Sequence, residues 1–185
     1  MNLGKKKLSK SKLNCSLLVS SCDSYEDLWE PFLNTFKKNW PDCDIEKYFI
    51  TENKKFIKND FTTIKCGLKK NWTDRLYYSL SSIEDDYVIL MLEDFFLRSK
   101  INNEDIHYFI KYIQKYDLSM IRLIKRPQGT CLNTKHPKLT QIHKDDLFRV
   151  STQATIWNKK ILKNLLKKNE NIWEFELNGS VRSKS

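Results

Sequence analysis

Two carboxylates side by side, Glu93 and Asp94, follow directly on the apolar run Tyr87 to Leu92. Their oxygens are hard donors of the kind that Mg²⁺ or Mn²⁺ takes, so both are candidate metal ligands and candidate contacts for a polar ligand. A second pair, Glu174 and Glu176, alternates with Trp173 and Phe175. A carboxylate on an aromatic shelf is shifted toward the pKa range of a general base. Read as an extended stretch, Trp173–Glu176 puts both acids on one face. Glu176, next to Asn178-Gly179, is then the better placed base and Glu174 the second choice. Asp23 either caps a helix or accepts a hydrogen bond from a nucleotide base. Trp72 offers a core ring or a stacking surface, and Arg75, three residues on, has the reach and the fork geometry for a diphosphate. The sequence holds no glycine-rich phosphate loop, zinc-ligand spacing or nucleophile elbow, and its histidines, His107, His136 and His143, are dispersed.

These residues need a scaffold. A short unbroken apolar run that ends abruptly in charge suits a strand buried on both faces of a parallel sheet. In such sheets ligands bind just beyond the carboxyl ends of the strands, which is where Glu93 and Asp94 fall. The periodicity predicts further strands at Cys15–Ser21, Ile45–Thr51, Phe61–Cys66, Ser119–Ile124 and around Val150–Ile156. Helical spacing runs through Tyr25, Leu28, Trp29, Phe32, Phe36 and Trp40, with Ser24 or Asp23 as cap and a kink or a late start at Pro31. Further helices follow Trp72, Asn102–Asn103 and Asn158. Strands alternating with helices make the chain α/β. Residues 125–146 form a polar, basic, irregular connection of the length that functional loops have.

At 185 residues one domain is the default, expected over 15–185. The net charge of +10 is concentrated. Residues 1–14 carry Lys5, Lys6, Lys7, Lys10 and Lys12 without an acid and read as a basic disordered tail. Residues 118–144 carry Arg122, Lys125, Arg126, Lys135, Lys138 and Lys144, again without an acid. The rest of the chain is close to neutral. Two basic stretches suggest anionic partners, a membrane surface for the tail and phosphate groups for the internal stretch. The cysteines (Cys15, Cys22, Cys43, Cys66 and Cys131) are odd in number and lack ligand spacing, as for reduced thiols in a cytoplasmic protein. Leu17 to Val19 before Cys22 is too short an apolar run for a lipoprotein signal, and no run reaches the roughly 18 residues that span a bilayer.

Taken in order, several short motifs resemble one family. Ser20-Ser21-Cys22-Asp23 is followed by Leu28-Trp29-Glu30-Pro31-Phe32, by Trp72 leading to Asp86-Tyr87-Val88, and by Leu92-Glu93-Asp94-Phe95-Phe96. Ile156-Trp157 and Trp173-Glu174-Phe175-Glu176 close the series. From about Cys15 to Ser180 this resembles bacterial GT-A-type glycosyltransferases of lipopolysaccharide and capsular polysaccharide biosynthesis. The resemblance implies a Rossmann-like nucleotide-diphospho-sugar transferase sandwich with a mostly parallel sheet between helices. It implies a nucleotide-sugar donor, Mg²⁺ or Mn²⁺ in many relatives, and a glycan or lipid-linked acceptor at the inner face of the cell membrane. Asp23 would face the nucleotide and Glu93-Asp94 would stand where the family has Asp-x-Asp, although no second acid follows two places after Glu93. Within that scheme Glu176 or Glu174 is the base. Arg122 and the basic stretch after it meet the diphosphate or form a lid, and Gln153 touches the sugar. Relatives usually continue further, so a domain shortened at its C-terminus is the expectation.

Two other readings stay open on the residues alone. One is an inactive scaffold of the same fold. The other is a basic nucleic-acid-binding protein, although the basic stretches lack the interleaved aromatics of a single-strand platform, so nucleic acid is not the expected partner.

Overall fold

The computed structural model describes residues 13–56, 60–68, 70–124 and 138–184. The six apolar residues Tyr87–Leu92 form strand β4, and Cys15–Ser20 forms β1 beside it. The two run parallel in unbroken register from Cys15 opposite Tyr87 to Ser20 opposite Leu92. Every residue of β1 is buried, as both faces of a central strand require. Beyond β1 lie β2 (Glu46–Thr51) and then β3 (Phe61–Lys65), both parallel to it. On the far side of β4 lie β6 (Thr155–Asn158), antiparallel, and β5 (Met120–Arg122) at the edge. The order is β3-β2-β1-β4-β6-β5.

Helices cover both faces. On one face pack α1 (Glu26–Asn39) and α3 (Asn103–Lys115), through Trp29, Phe32, Phe36, Ile106, Ile110 and Ile113. On the other pack α2 (Trp72–Ser81), α4 (Lys159–Leu165) and α5 (Ile172–Arg182), through Leu76, Leu80, Leu162 and Phe175. Burying a side chain of this size contributes ~1.5–3 kcal/mol, so these stripes are what hold the layers together. Asn102 and Asn158 cap α3 and α4 as the sequence predicts, each accepting from backbone N–H groups of the first turn.

Four local expectations are corrected. Helix α1 begins at Glu26 after a 3-10 turn at Asp23–Tyr25 and runs through Pro31; neither Asp23 nor Ser24 caps it by a side-chain hydrogen bond. Residues 119–124 contain only the short β5. Residues 150–154, buried except for the half-buried Gln153, are not a strand, because side chains of α5 take their backbone donors: Val150 N–H donates to Ser180 Oγ at 3.0 Å and Thr152 N–H to Glu176 at 2.6 Å. Trp173–Glu176 is helical, not extended. Asn171 accepts from Glu174 N–H and the Glu174 side chain accepts from Asn171 N–H, a reciprocal cap that starts α5. On that helix Trp173 is 70% exposed while Phe175 is fully buried, so the two rings do not share a face, and neither do the two acids. Asn178-Gly179 lies inside α5 and makes no turn.

Asn171→Ala removes this cap and should lower stability by about 1 kcal/mol in thermal denaturation. An unchanged melting temperature would contradict a helix start at this residue.

Candidate functional site

The strand order reverses between β1 and β4, and open parallel sheets bind ligands in the crevice outside the carboxyl ends at that point. Ser20 ends β1 and Leu92 ends β4, and the two are paired. Glu93 and Asp94 therefore form the rim of this crevice. Glu93 is 7% exposed, and burial pushes its carboxyl up to about 7, its own backbone N–H and Arg75 pulling the other way against Asp94.

Asp23, at the end of the loop after β1, forms a clip to the loop after β2. Its Oδ1 accepts from Glu52 N–H at 3.0 Å, and its Oδ2 from Asn53 and Lys54 N–H at 3.0 and 3.1 Å. Its own N–H donates to Glu52 Oε2 at 3.1 Å. Burial pushes the Asp23 carboxyl up, but these backbone donors and Lys54 outweigh it and hold the group below its ordinary value. Its carboxylate is taken up in positioning the two loops.

Arg75 reaches the same edge from the first turn of α2. Its Nη1 donates to the Lys70 carbonyl at 2.8 Å and lies 3.5 Å from Glu52 Oε1. Two buried polar atoms here have no hydrogen-bond partner among the described residues: Arg75 Nε and the hydroxyl of Ser20, a residue 1% exposed. Ser20 shares the sheet face of Leu18, over which α2 packs. A guanidinium edge and a hydroxyl left unsatisfied at a crevice suit an anionic, oxygen-rich ligand.

The remaining candidates divide. Trp72 is buried against Phe175, ring centroids 5.2 Å apart, and is a core ring. Glu174 stands at the exposed start of α5, tied to Asn171. Glu176 is buried, and its Oε1 accepts from Thr152 N–H and, at 2.9 Å, from Thr152 Oγ1. Arg122 Nη2 donates to the Phe148 carbonyl at 2.8 Å; burial lowers its pKa, and the charges of Glu176 and Asp146 raise it. Gln153 is half-buried, two residues before β6 on the side where β4 ends. So Glu93, Asp94, Arg75 and Asp23 gather at the crevice with Glu52 and Ser20, while Arg122 and Glu176 form a second group around residues 148–152. Lys125, Arg126 and Lys135 of the basic stretch, and residues 1–12 of the tail, lie outside the described residues. Glu52 and Ser20 were missed by sequence reasoning. Both sit at a strand's carboxyl end, the signal that singled out Glu93, but Glu52 reads as part of a charged connection and Ser20 as ordinary strand.

No three of His, Cys, Asp and Glu gather as a metal site among the described residues. A Mg²⁺ or Mn²⁺ ion would take Asp94 and Glu93 and fill its shell with phosphate oxygens and water, a donor set that Mg²⁺ commonly uses. The acid pair fits such an ion only together with its ligand. Among the described residues no helix is long and apolar enough to cross a membrane.

No protein-family model matches the chain, and no curated protein does. Among solved structures, a cytidylyltransferase from Leptospira borgpetersenii matches with a TM-score of 0.51 at 10% identity, over 89% of this chain and 68% of its own. The two share a Rossmann-like sandwich, a mostly parallel sheet between helices. S. aureus TarS matches with a TM-score of 0.50 at 13% identity, over 84% of this chain and 30% of its own. The bifunctional IspDF from Campylobacter jejuni matches with a TM-score of 0.45 at 16% identity, over 88% of this chain and 44% of its own. This chain thus spans less than half of IspDF and under a third of TarS. At these identities the likeness is one of fold.

Asp23→Asn places an amide donor against backbone donors and should cost about 1–3 kcal/mol at pH 7. The folded carboxyl titrates below its ordinary 3.8, so its stabilisation is complete above that value and is lost as pH falls through the lower folded one. Denaturant unfolding should therefore show the gap between variant and wild type closing below pH 3.8. A gap of constant size into acid would contradict the clip.

Proposed function

We propose that the protein is a nucleotide-dependent transferase, and within that class a glycosyltransferase that moves a sugar from a nucleotide-sugar donor to a glycan or lipid-linked acceptor. The observation that carries this reading is the meeting of Glu93, Asp94, Arg75 and the unsatisfied Ser20 hydroxyl at the β1–β4 reversal of a nucleotide-diphospho-sugar transferase fold. Glycosyl transfer leaves a diphosphate carrying developing charge. Arg75 is the fixed cation on that side, and charge stabilisation of this kind is usually the largest catalytic contribution. Asp94, with Glu93, would hold a divalent ion, which when bound supplies further charge stabilisation to the departing diphosphate.

The acceptor hydroxyl must lose a proton. Of the two glutamates at the chain's end, Glu176 suits that role and Glu174 does not. The Glu176 carboxylate is fixed in orientation by Thr152, beside the segment that leads into β6 from the site's end of the sheet. Glu174 stands at the exposed start of α5 and serves the cap.

Calorimetry and turnover with UDP-, GDP- and CMP-sugars test this assignment. Asp94→Asn should abolish metal-dependent donor binding at near wild-type thermal stability. Glu176→Gln should keep donor affinity and slow transfer by about 10²–10⁴-fold, the usual cost of losing a general base, while Glu174→Gln leaves the rate close to wild type. Normal donor binding by Asp94→Asn would reject the metal and donor site. Unaltered transfer by Glu176→Gln would assign that residue to holding residues 150–152. Turnover of CTP with a sugar phosphate, in place of a nucleotide sugar, would make the protein a nucleotidyltransferase like its Leptospira neighbour.

A further inference from the structure

Helix α5 has only one of its faces inside the fold. Phe175, Glu176, Gly179 and Ser180 are buried and fix its rotation. Glu176 accepts from Thr152 N–H, and Ser180 Oγ accepts from Val150 N–H. Gly179 packs so closely that a Cβ there would stand 3.1 Å from Val150 Cγ1. The helix therefore cannot roll to hide what its other face carries. That face bears Trp173, Leu177 and Val181, which are 70, 58 and 67% exposed. Spaced four residues apart, they form one continuous ridge of the kind that helices pack against one another.

The segment before β6 lengthens this ridge. Lys184 Nζ donates to Asp145 Oδ1 at 3.0 Å and Arg149 donates to the Ser183 carbonyl, so residues 145–150 lie along the end of α5. Leu147 and Phe148 in that segment are 81 and 41% exposed. Phe148 has a φ of 53°, a costly conformation for a bulky residue, and Arg122 Nη2 holds its carbonyl at 2.8 Å. The exposure of these two side chains is set by a held backbone. A whole aromatic side chain presents ~150–250 Å² and a leucine or valine about 100 Å², so the five leave on the order of 400 Å² of apolar surface in water. Patches of this size on a soluble domain mark interaction sites.

We propose that this ridge pairs with the same ridge of a second copy of the chain, the two α5 helices antiparallel about a two-fold axis at Leu177. Area and symmetry select a second copy. Two such patches, at the roughly 65% apolar share of homodimer interfaces, correspond to about 1,200 Å² buried in total, the lower end of the range for specific, stable pairs. The ridge is centred on Leu177. A two-fold axis there sets Leu177 against its own copy and turns the large Trp173 ring toward the small Val181 of the second copy, which is the self-complementarity that an isologous interface needs.

The charges that border the ridge are mostly paired within the molecule. Arg182 meets Glu170 at 2.7 Å, Lys184 meets Asp145, and Glu174 accepts from Asn171 N–H at 2.8 Å. Lys144, Lys167 and Lys168 stand exposed beyond its two ends. Lysines at both ends repel across an antiparallel pair, so apolar contact must carry the association and added salt should not weaken it. The pairing does not depend on the reaction proposed above. It does cover the outer face of the helix whose inner face carries Glu176.

Sedimentation velocity of the full chain over a dilution series tests the pairing. The wild type should pass from monomer to dimer at micromolar concentration, with a dissociation constant that salt does not raise. Leu177→Glu should raise that constant by more than about tenfold, the least that losing one buried leucine costs. Tyr25→Glu, at a comparably exposed residue in the turn before α1 across the sheet, should leave it unchanged. On mild oxidation Leu177→Cys should cross-link well above the wild-type background, while Val181→Cys, off the axis, should not. Circular dichroism melts confirm that each variant is folded. A monomer at every concentration, including one that binds vesicles through Trp173, would overturn the proposal. So would a dimer that Leu177→Glu leaves intact, or cross-linking by Val181→Cys in preference to Leu177→Cys.

Discussion

The parallel pairing of β1 with β4 is the constraint on which the rest of the molecule depends. Six consecutive residues on each strand match in register, and nearly all of them are buried. A slip of one residue would turn Leu18 and Leu90 away from the α2–α4–α5 face and expose the packing on both sides. Because the chain continues outward in both directions from this pair, the crevice opens where Ser20 and Leu92 end. Glu93 and Asp94 are at its rim by virtue of register alone.

Polar groups at that rim sit at some cost to stability. A carboxyl buried enough to be pushed up to about 7, and a buried hydroxyl and guanidinium nitrogen with no partner among the described residues, are unfavourable in a folded core. The Asp23–Glu52 clip works in the other direction. It ties the loops after β1 and β2 together with four hydrogen bonds and holds Glu52 within reach of Arg75. A rigid frame around unsatisfied donors is what a preorganised binding site needs.

Much of this was legible in the sequence. The strand Tyr87–Leu92 and the acids after it follow from an unbroken apolar run ending in charge. Asn102 and Asn158 read correctly as caps because their partners are two or three residues away. What was illegible depended on distant partners. The acceptors and donors of the Asp23 clip lie 29 to 31 residues on, so a local reading sees only a turn or a cap. Val150–Ala154 alternates as a strand does, yet Glu176 and Ser180 take its backbone donors from α5. Trp173–Glu176 misled because four residues of aromatic–acid alternation satisfy period two by chance. The helical signal was present in Asn171 and Glu174, three apart, and in the buried positions Phe175, Glu176, Gly179 and Ser180, whose spacing is that of one helix face.

The proposed function requires that nucleotide bind in the crevice at the β1–β4 reversal. Backbone amide chemical shifts of the ¹⁵N-labelled protein, followed as CDP or UDP is titrated with Mg²⁺, test that directly. The account predicts that the largest changes fall on Ser20–Asp23, Glu52–Lys54 and Glu93–Asp94, with Asn158–Asn164 at the far end of the sheet unmoved. Shifts concentrated on Asn158–Asn164, or spread over the lysine-bearing surface without a maximum at the crevice, would contradict it.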